Sequence, residues 1–166
     1  MDFEQQYFLP EDFPSMPRIG VSANLDKAFE NYEYLGRGPH ENYTDRCTSA
    51  HIGLYKSDVK SNFEKHYALP QENGNRTDIR YIKLFSSFAT VKISSKTPFE
   101  TGISYYSAHD LFKAKHTCDL VERPYAILTL DLAQRGLGSG SCGPQTLDKY
   151  ALDEKYYQFN FTMELI

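Results

Sequence analysis

Period-two alternation is clearest at the end of the chain. Tyr157, Phe159, Phe161, Met163 and Leu165 alternate with Gln158, Asn160, Thr162 and Glu164. The apolar set therefore shares one face, which predicts a half-buried β-strand. Residues 126–132 are nearly all apolar and predict a central strand. The β-branched and aromatic runs at 79–85, 88–94 and 99–105, with turn residues between them, predict three more. Near the start, 3–9, 19–25 and 29–35 read the same way, punctuated by Pro10, Pro14 and Pro17. One helix is predicted, opening at the capping-box-like Ser107-Ala-His-Asp110 and continued by Leu111, Ala114 and Lys115 at helical spacing. Residues 41–61 have no clear period and leave room for a helical turn. Many short strands with frequent turns predict an all-β, antiparallel sandwich. Neither a repeat nor a linker divides the chain, so 1–166 reads as a single domain.

Composition narrows the function classes. Apolar residues are 40% and aromatic residues 14%, which excludes a disordered chain. The formal net charge is −4 with no Lys/Arg run, so a nucleic-acid partner is not indicated. No apolar run approaches the roughly 20 residues of a membrane span. The start, Met1-Asp-Phe-Glu-Gln-Gln-Tyr7, lacks the basic and apolar regions of a signal peptide. Cys47, Cys118 and Cys142 are an odd number at wide spacing, which argues against a disulfide framework and against a Cys-rich zinc site.

The candidate chemistry is sparse. His40, His51, His66, His109 and His116 form no His-Glu-x-x-His pair and no tight ligand spacing; His109 and His116 are expected to share a helix face. Glu41 and Glu72 each sit in a loop-like motif. A retaining glycosidase needs two carboxyls about 5–5.5 Å apart, and a Glu in a Pro/Asn/Gly loop more often satisfies backbone donors. Asn42-Tyr-Thr44, Asn75-Arg-Thr77 and Asn160-Phe-Thr162 fit the N-glycosylation pattern and, with no secretory signal, read as chance matches. Gln134-Arg-Gly-Leu-Gly-Ser-Gly-Ser-Cys142-Gly-Pro144 stands out more. Glycines at 136, 138, 140 and 143 describe a surface loop shaped to present something, with Cys142 near its tip. Cys142 has no base beside it and reads as a small loop residue rather than a nucleophile.

Three stretches belong together: Tyr34-Leu-Gly-Arg-Gly-Pro-His-Glu-Asn-Tyr-Thr-Asp-Arg46, Leu69-Pro-Gln-Glu-Asn-Gly-Asn-Arg-Thr-Asp-Ile-Arg80 and Gly136-Leu-Gly-Ser-Gly-Ser-Cys-Gly-Pro144. With Met16-Pro-Arg-Ile-Gly20 and Ser107-Ala-His-Asp-Leu111 they form five collinear motifs. In this order they resemble the C-terminal β-sandwich domain, the small-chain-like region, of glycoside hydrolase family 2 β-galactosidases, over residues 3–166. The resemblance implies a galactose mutarotase-like sandwich that is incomplete here, its N-terminal strands missing. It implies that two catalytic glutamates, and the Mg and Na sites that assist them, lie in a (β/α)8 barrel upstream. No catalytic residue, metal or cofactor is therefore expected in this chain, and the chain alone is expected to be inactive. In the family the third motif reaches the active-site mouth, where a Trp in Ser-Trp-Gly-Pro context stacks on the sugar. Ser141-Cys142-Gly143-Pro144 puts Cys142 at that place, so Cys142 carries over as a substrate-binding residue of the outer subsite; a thiol cannot give the face-to-face contact of an indole. The first two motifs read as architectural, with Glu41 pairing Arg46 and Asp78 pairing Arg80 on one strand face.

The expected partners are the remaining domains or large chain of the parent enzyme and its β-galactoside substrate, with no nucleic acid and no membrane. Exposed apolar surface left by the missing strands predicts self-association. The cytoplasm is favoured, with a periplasmic parent left open. The alternative is a free-standing carbohydrate-binding or mutarotase-like module, for which His109, Glu41 and Glu72 are the only suppliers of acid and base. A third reading is a structural subunit that assembles with a separate catalytic chain.

Overall fold

The alternating segments all find partners. The computed structural model describes residues 1–138, 140 and 143–166. Its elements are β1 (Asp2–Phe8), β2 (Arg18–Asp26), β3 (Asn31–Gly38), β4 (His51–Asp58), β5 (Arg76–Phe85), β6 (Thr90–Ser104), α1 (Ala108–Lys113), β7 (Tyr125–Gln134) and β8 (Tyr156–Leu165). Single 3-10 turns lie at Thr117–Asp119 and Asp148–Tyr150. Every strand pairing is antiparallel. The all-β expectation with one short helix holds, as an eight-stranded open sheet in sandwich form.

Strand β6 organises this sheet. Of its 15 residues, 90–94, 99 and 101 pair along one side with β5. On the other side residues 91–94 pair with β8 and residues 100–104 with β7. The sheet therefore forks: β8 and β1 form one wing, β7 and β2 the other, and β5, β3 and β4 continue from the trunk. The wings touch each other. Tyr7 on β1 donates its hydroxyl to the Gly20 carbonyl on β2 at 3.0 Å; within the trunk and first wing, the Phe99 ring of β6 lies 6.1 Å from that of Phe159 on β8. Ile79, Ile82, Leu84, Ile93, Phe99, Leu128 and Phe159 fill the space between, almost without solvent contact. Burying each such side chain contributes about 1.5–3 kcal/mol before conformational entropy is counted.

Three expectations from the sequence are corrected. The runs at 88–94 and 99–105 are one strand, not two: the polar 95–98 stretch, including Pro98, stays within β6 and shifts its register against β5. Residues 51–58, within the segment without a clear period, form edge strand β4, not a helical turn. Its apolar Ile52 and Leu54 face outward at 49% and 58% exposure, so the strand lacks the alternation that a covered face imposes. The helix forms where predicted but stops at Lys113, so His116 lies beyond it and does not share its face with His109. Its capping box is complete: Asp110 N–H donates to Ser107 Oγ at 3.1 Å, and Ser107 N–H to the Asp110 carboxylate at 2.9 Å. Arg123 clamps both Asp110 oxygens, at 2.6 and 2.8 Å, and holds that carboxyl well below its ordinary range. No helix among the described residues is long and apolar enough to cross a membrane.

Candidate functional site

The Gly-rich loop leaves β7 at Gln134 and is tied at its root to separate parts of the chain. Arg135 N–H donates to the Pro17 carbonyl and Gly136 N–H to the Tyr150 carbonyl, both at 3.0 Å. Gly138 N–H donates to the Asp45 carboxylate at 2.8 Å, and the Thr146 hydroxyl donates to the Gly136 carbonyl. Two of the glycines have clear reasons. Gly138 has φ of +62°, in the left-handed region. A Cβ on Gly136 would lie 2.9 Å from both Asp45 Cγ and Tyr150 Cβ. Cys142, the predicted outer-subsite residue, lies outside the described residues, as do Ser139 and Ser141.

Beside this root opens a cleft of about 470 Å³, with Arg18, Tyr43, Glu72, Gln134, Arg135 and Leu137 in its wall. A second depression of about 390 Å³ adjoins it and adds Phe63, Tyr106 and Tyr125. The two share Arg18, Glu72, Asn73, Gly102, Ala108 and Thr129, so one groove crosses the outer face of the β2–β7–β6 wing. Arg18 and Glu72 pair across it at 2.5 Å.

Under the groove floor two carboxylates meet by strand register: Glu100 on β6 faces Asp131 on β7. They are 7% and 1% exposed. Glu100 accepts from Asn75 Nδ2 at 2.6 Å and from Gln134 N–H at 3.1 Å. Asp131 accepts from Gln134 Nε2 at 3.0 Å, with Arg18 at 3.5 Å. Burial pushes Glu100 up to about 7, and the Asp131 charge adds to it against the Asn75 and Gln134 donors. Burial likewise pushes Asp131 up to about 6, opposed by Arg18 and Gln134. This pair takes up protons near neutral pH. It is roofed by Asn75 and Gln134, whose side chains bond each other at 2.9 Å. These residues escape a sequence search for motifs. The available signal is a charge inside an apolar run at Leu130-Asp-Leu132; Glu100 stands among other polar residues and gives no such signal.

The first two motifs lock together. Asn42 is wholly buried. Its amide donates to the Arg37 and His40 carbonyls, and its Oδ1 accepts from both the N–H and the hydroxyl of Thr77. Glu41 accepts from Arg46 at 2.6 Å, from Gly74 N–H at 2.9 Å and from the Tyr67 hydroxyl. The predicted Glu41–Arg46 pair is therefore present. The predicted Asp78–Arg80 pair is not: Asp78 sits at φ +55° beside a β-bulge and turns its carboxylate to Arg37 at 2.5 Å, leaving Arg80 its backbone carbonyl.

Glu41 and Glu72 are each taken up by a different arginine, and His109 is exposed on α1. Among the described residues no hydrogen bond or ion pair joins these three to one another, although mutarotase-like chemistry needs an acid and a base that converge. Of the three sequon asparagines, Asn42 and Asn75 are buried hubs of this network. His40 meets Ser49 at 2.9 Å, and His66 lies 3.3 Å from Glu64. Among the described residues no group of three or more His, Cys, Asp or Glu is placed to hold a metal ion.

Comparison with known proteins places this scaffold. Residues 1–163 match the family described as beta galactosidase small chain. The chain belongs to that β-galactosidase family. It is 40% identical over 154 residues to the beta-galactosidase of Kluyveromyces lactis, covering 92% of this chain and 14% of that protein. The beta-galactosidase of Actinobacillus pleuropneumoniae is 35% identical over 154 residues, 93% of this chain and 15% of the relative. That of Vibrio cholerae is 32% identical over 166 residues, 99% of this chain and 16% of the relative. This β-galactosidase small-chain region thus spans about 15% of the length of the relatives it matches.

Proposed function

We propose that this region is the non-catalytic C-terminal β-sandwich of a family 2 β-galactosidase that hydrolyses terminal β-D-galactosides. It buttresses the catalytic barrel and lends the Gly-rich loop to the substrate mouth. The observation that carries this reading is the construction of the loop root. A loop pinned to Pro17, Asp45 and Tyr150 is held at a fixed height above a rigid sheet, as a loop serving a neighbouring site must be. The remaining domains of the parent are its partners, and they supply the catalytic glutamates and any metal chemistry.

The test is steady-state kinetics of the full-length parent on lactose and on an aryl galactoside, comparing wild type, Cys142→Ala and Cys142→Trp. An added aromatic face contributes about 0.5–1.5 kcal/mol. KM and transfer to added acceptors should therefore change by about twofold to tenfold, with folding intact. If all three proteins behave identically on both substrates, the loop is remote from the sugar.

A further inference from the structure

Asp45 reaches across 93 positions of sequence to touch the Gly-rich loop. Its own placement is rigid. Thr44 and Asp45 form a two-residue turn closed on both sides, with Tyr43 N–H donating to the Arg46 carbonyl at 3.1 Å and Arg46 N–H to the Tyr43 carbonyl at 2.8 Å. Each flank of the turn is anchored. Tyr43 is 6% exposed, and Arg46 is fixed at 2.6 Å by Glu41, which is itself bonded to Gly74. The carboxylate therefore arrives at the loop in one orientation. There it accepts the Gly138 N–H at 2.8 Å, a charge-assisted bond to a backbone already turned into the left-handed region. Gly136 packs so closely on the same carboxylate that a Cβ would meet its Cγ at 2.9 Å. The loop thus rests on Asp45 at two glycines, one by hydrogen bond and one by contact.

We infer that Asp45 is a positioning residue for the substrate mouth, setting the height and orientation of the Gly-rich loop through Gly136 and Gly138. This rests on the reading that the loop lies at that mouth. Asp45 touches no sugar; it acts through the loop. The carboxylate suits this task. A single acceptor oxygen fixes the N–H, and a longer Glu would drive into Gly136.

The experiment uses the full-length parent with Asp45→Ala and Asp45→Asn beside Cys142→Ala and Cys142→Trp. It reads kcat and KM on lactose and an aryl galactoside, partition to an added alcohol acceptor, and thermal midpoint. With Asp45→Ala the Gly138 N–H loses its carboxylate acceptor. KM and acceptor partition should move by about threefold to tenfold, more on lactose than on the aryl galactoside. Asp45→Asn keeps an acceptor oxygen of the same reach and should recover most of that change; it also serves if the Ala variant does not fold. A shift of thermal midpoint with unchanged KM and partition in both Asp45 variants makes Asp45 merely structural and overturns the inference. If the Cys142 variants alter KM while the Asp45 variants do not, the inference alone fails. If both sets are silent, the reading of the loop at the mouth fails and takes the inference with it.

Discussion

Stability of this chain should fall as pH rises from 5 to 8, opposite to a protein held together by exposed ion pairs. The perturbation is ionisation of the Glu100–Asp131 pair. In the folded state burial raises Glu100 from 4.5 to about 7 and Asp131 from 3.8 to about 6. Both groups then hold protons over a range where the unfolded chain has released them. The folded state binds more protons, so stability is fully present below about pH 4 and is lost as pH rises through 6 and 7. For Glu100 alone, a shift of roughly two and a half units corresponds to about 3 kcal/mol. Asp131 contributes a similar order, and because the two are neighbours the loss belongs to the pair. A loss of about 3 kcal/mol lowers the thermal midpoint by about 6–12 °C in a domain of this size. Asp110, held down chiefly by its hydrogen bond from Arg123, acts the other way and is lost only as pH falls below the ordinary carboxylate range. The optimum should lie near pH 4. Urea midpoints at pH 5, 6, 7 and 8 check this, with Glu100→Gln as the decisive variant. Gln can accept the Gln134 N–H, but its amide then opposes Asn75 Nδ2. It should therefore cost about 1 kcal/mol at pH 5 and flatten the decline, so that the two curves cross between pH 6 and 8. A wild-type midpoint that is flat from pH 5 to 8, or a Glu100→Gln protein with the wild-type slope, refutes the reasoning.

Two further outcomes follow from the same structure. Asn42→Ala leaves the Thr77 N–H and two carbonyls without their buried partner, so it should cost about 3–5 kcal/mol in chemical denaturation, and a loss under 1 kcal/mol would show that the Asn42 network is not what joins the first two motifs. Edge strand β4, with Ile52 and Leu54 facing out and no strand beyond it among the described residues, should make the isolated chain associate as concentration rises; Leu54→Lys should return it to a monomer by light scattering, and a wild-type chain that stays monomeric throughout counts against this edge as the contact.

What the sequence made legible, and what it hid, divides along one physical line. Strand β8 could be read because one of its faces is buried, with Phe159 and Phe161 inside, and burial on one side imposes a period of two. Strand β4 could not, since its apolar residues lie on the solvent side of an edge. The helix start was legible because capping is local chemistry, completed within four residues. The fork of β6 was not. Nothing within residues 95–98 says that the strand changes partners there; that is decided by where β7 and β8 arrive from later in the chain.

The same division governs the site. Gly136 and Gly138 were visible as a loop signal because a left-handed backbone and a close approach need glycine wherever they occur. What those glycines approach was invisible, because Asp45 is an ordinary turn residue until the fold delivers it to Gly138. Glu100 and Asp131 are the sharper case. Asp131 looks like a polar interruption in an apolar strand and Glu100 like one of several polar residues of β6, and only the β6–β7 register turns them into a proton-binding pair. Register is a tertiary quantity. Local pattern can therefore nominate a buried acid as anomalous, and only the pairing of distant strands tells whether the anomaly has a partner, a donor set and a shifted proton affinity.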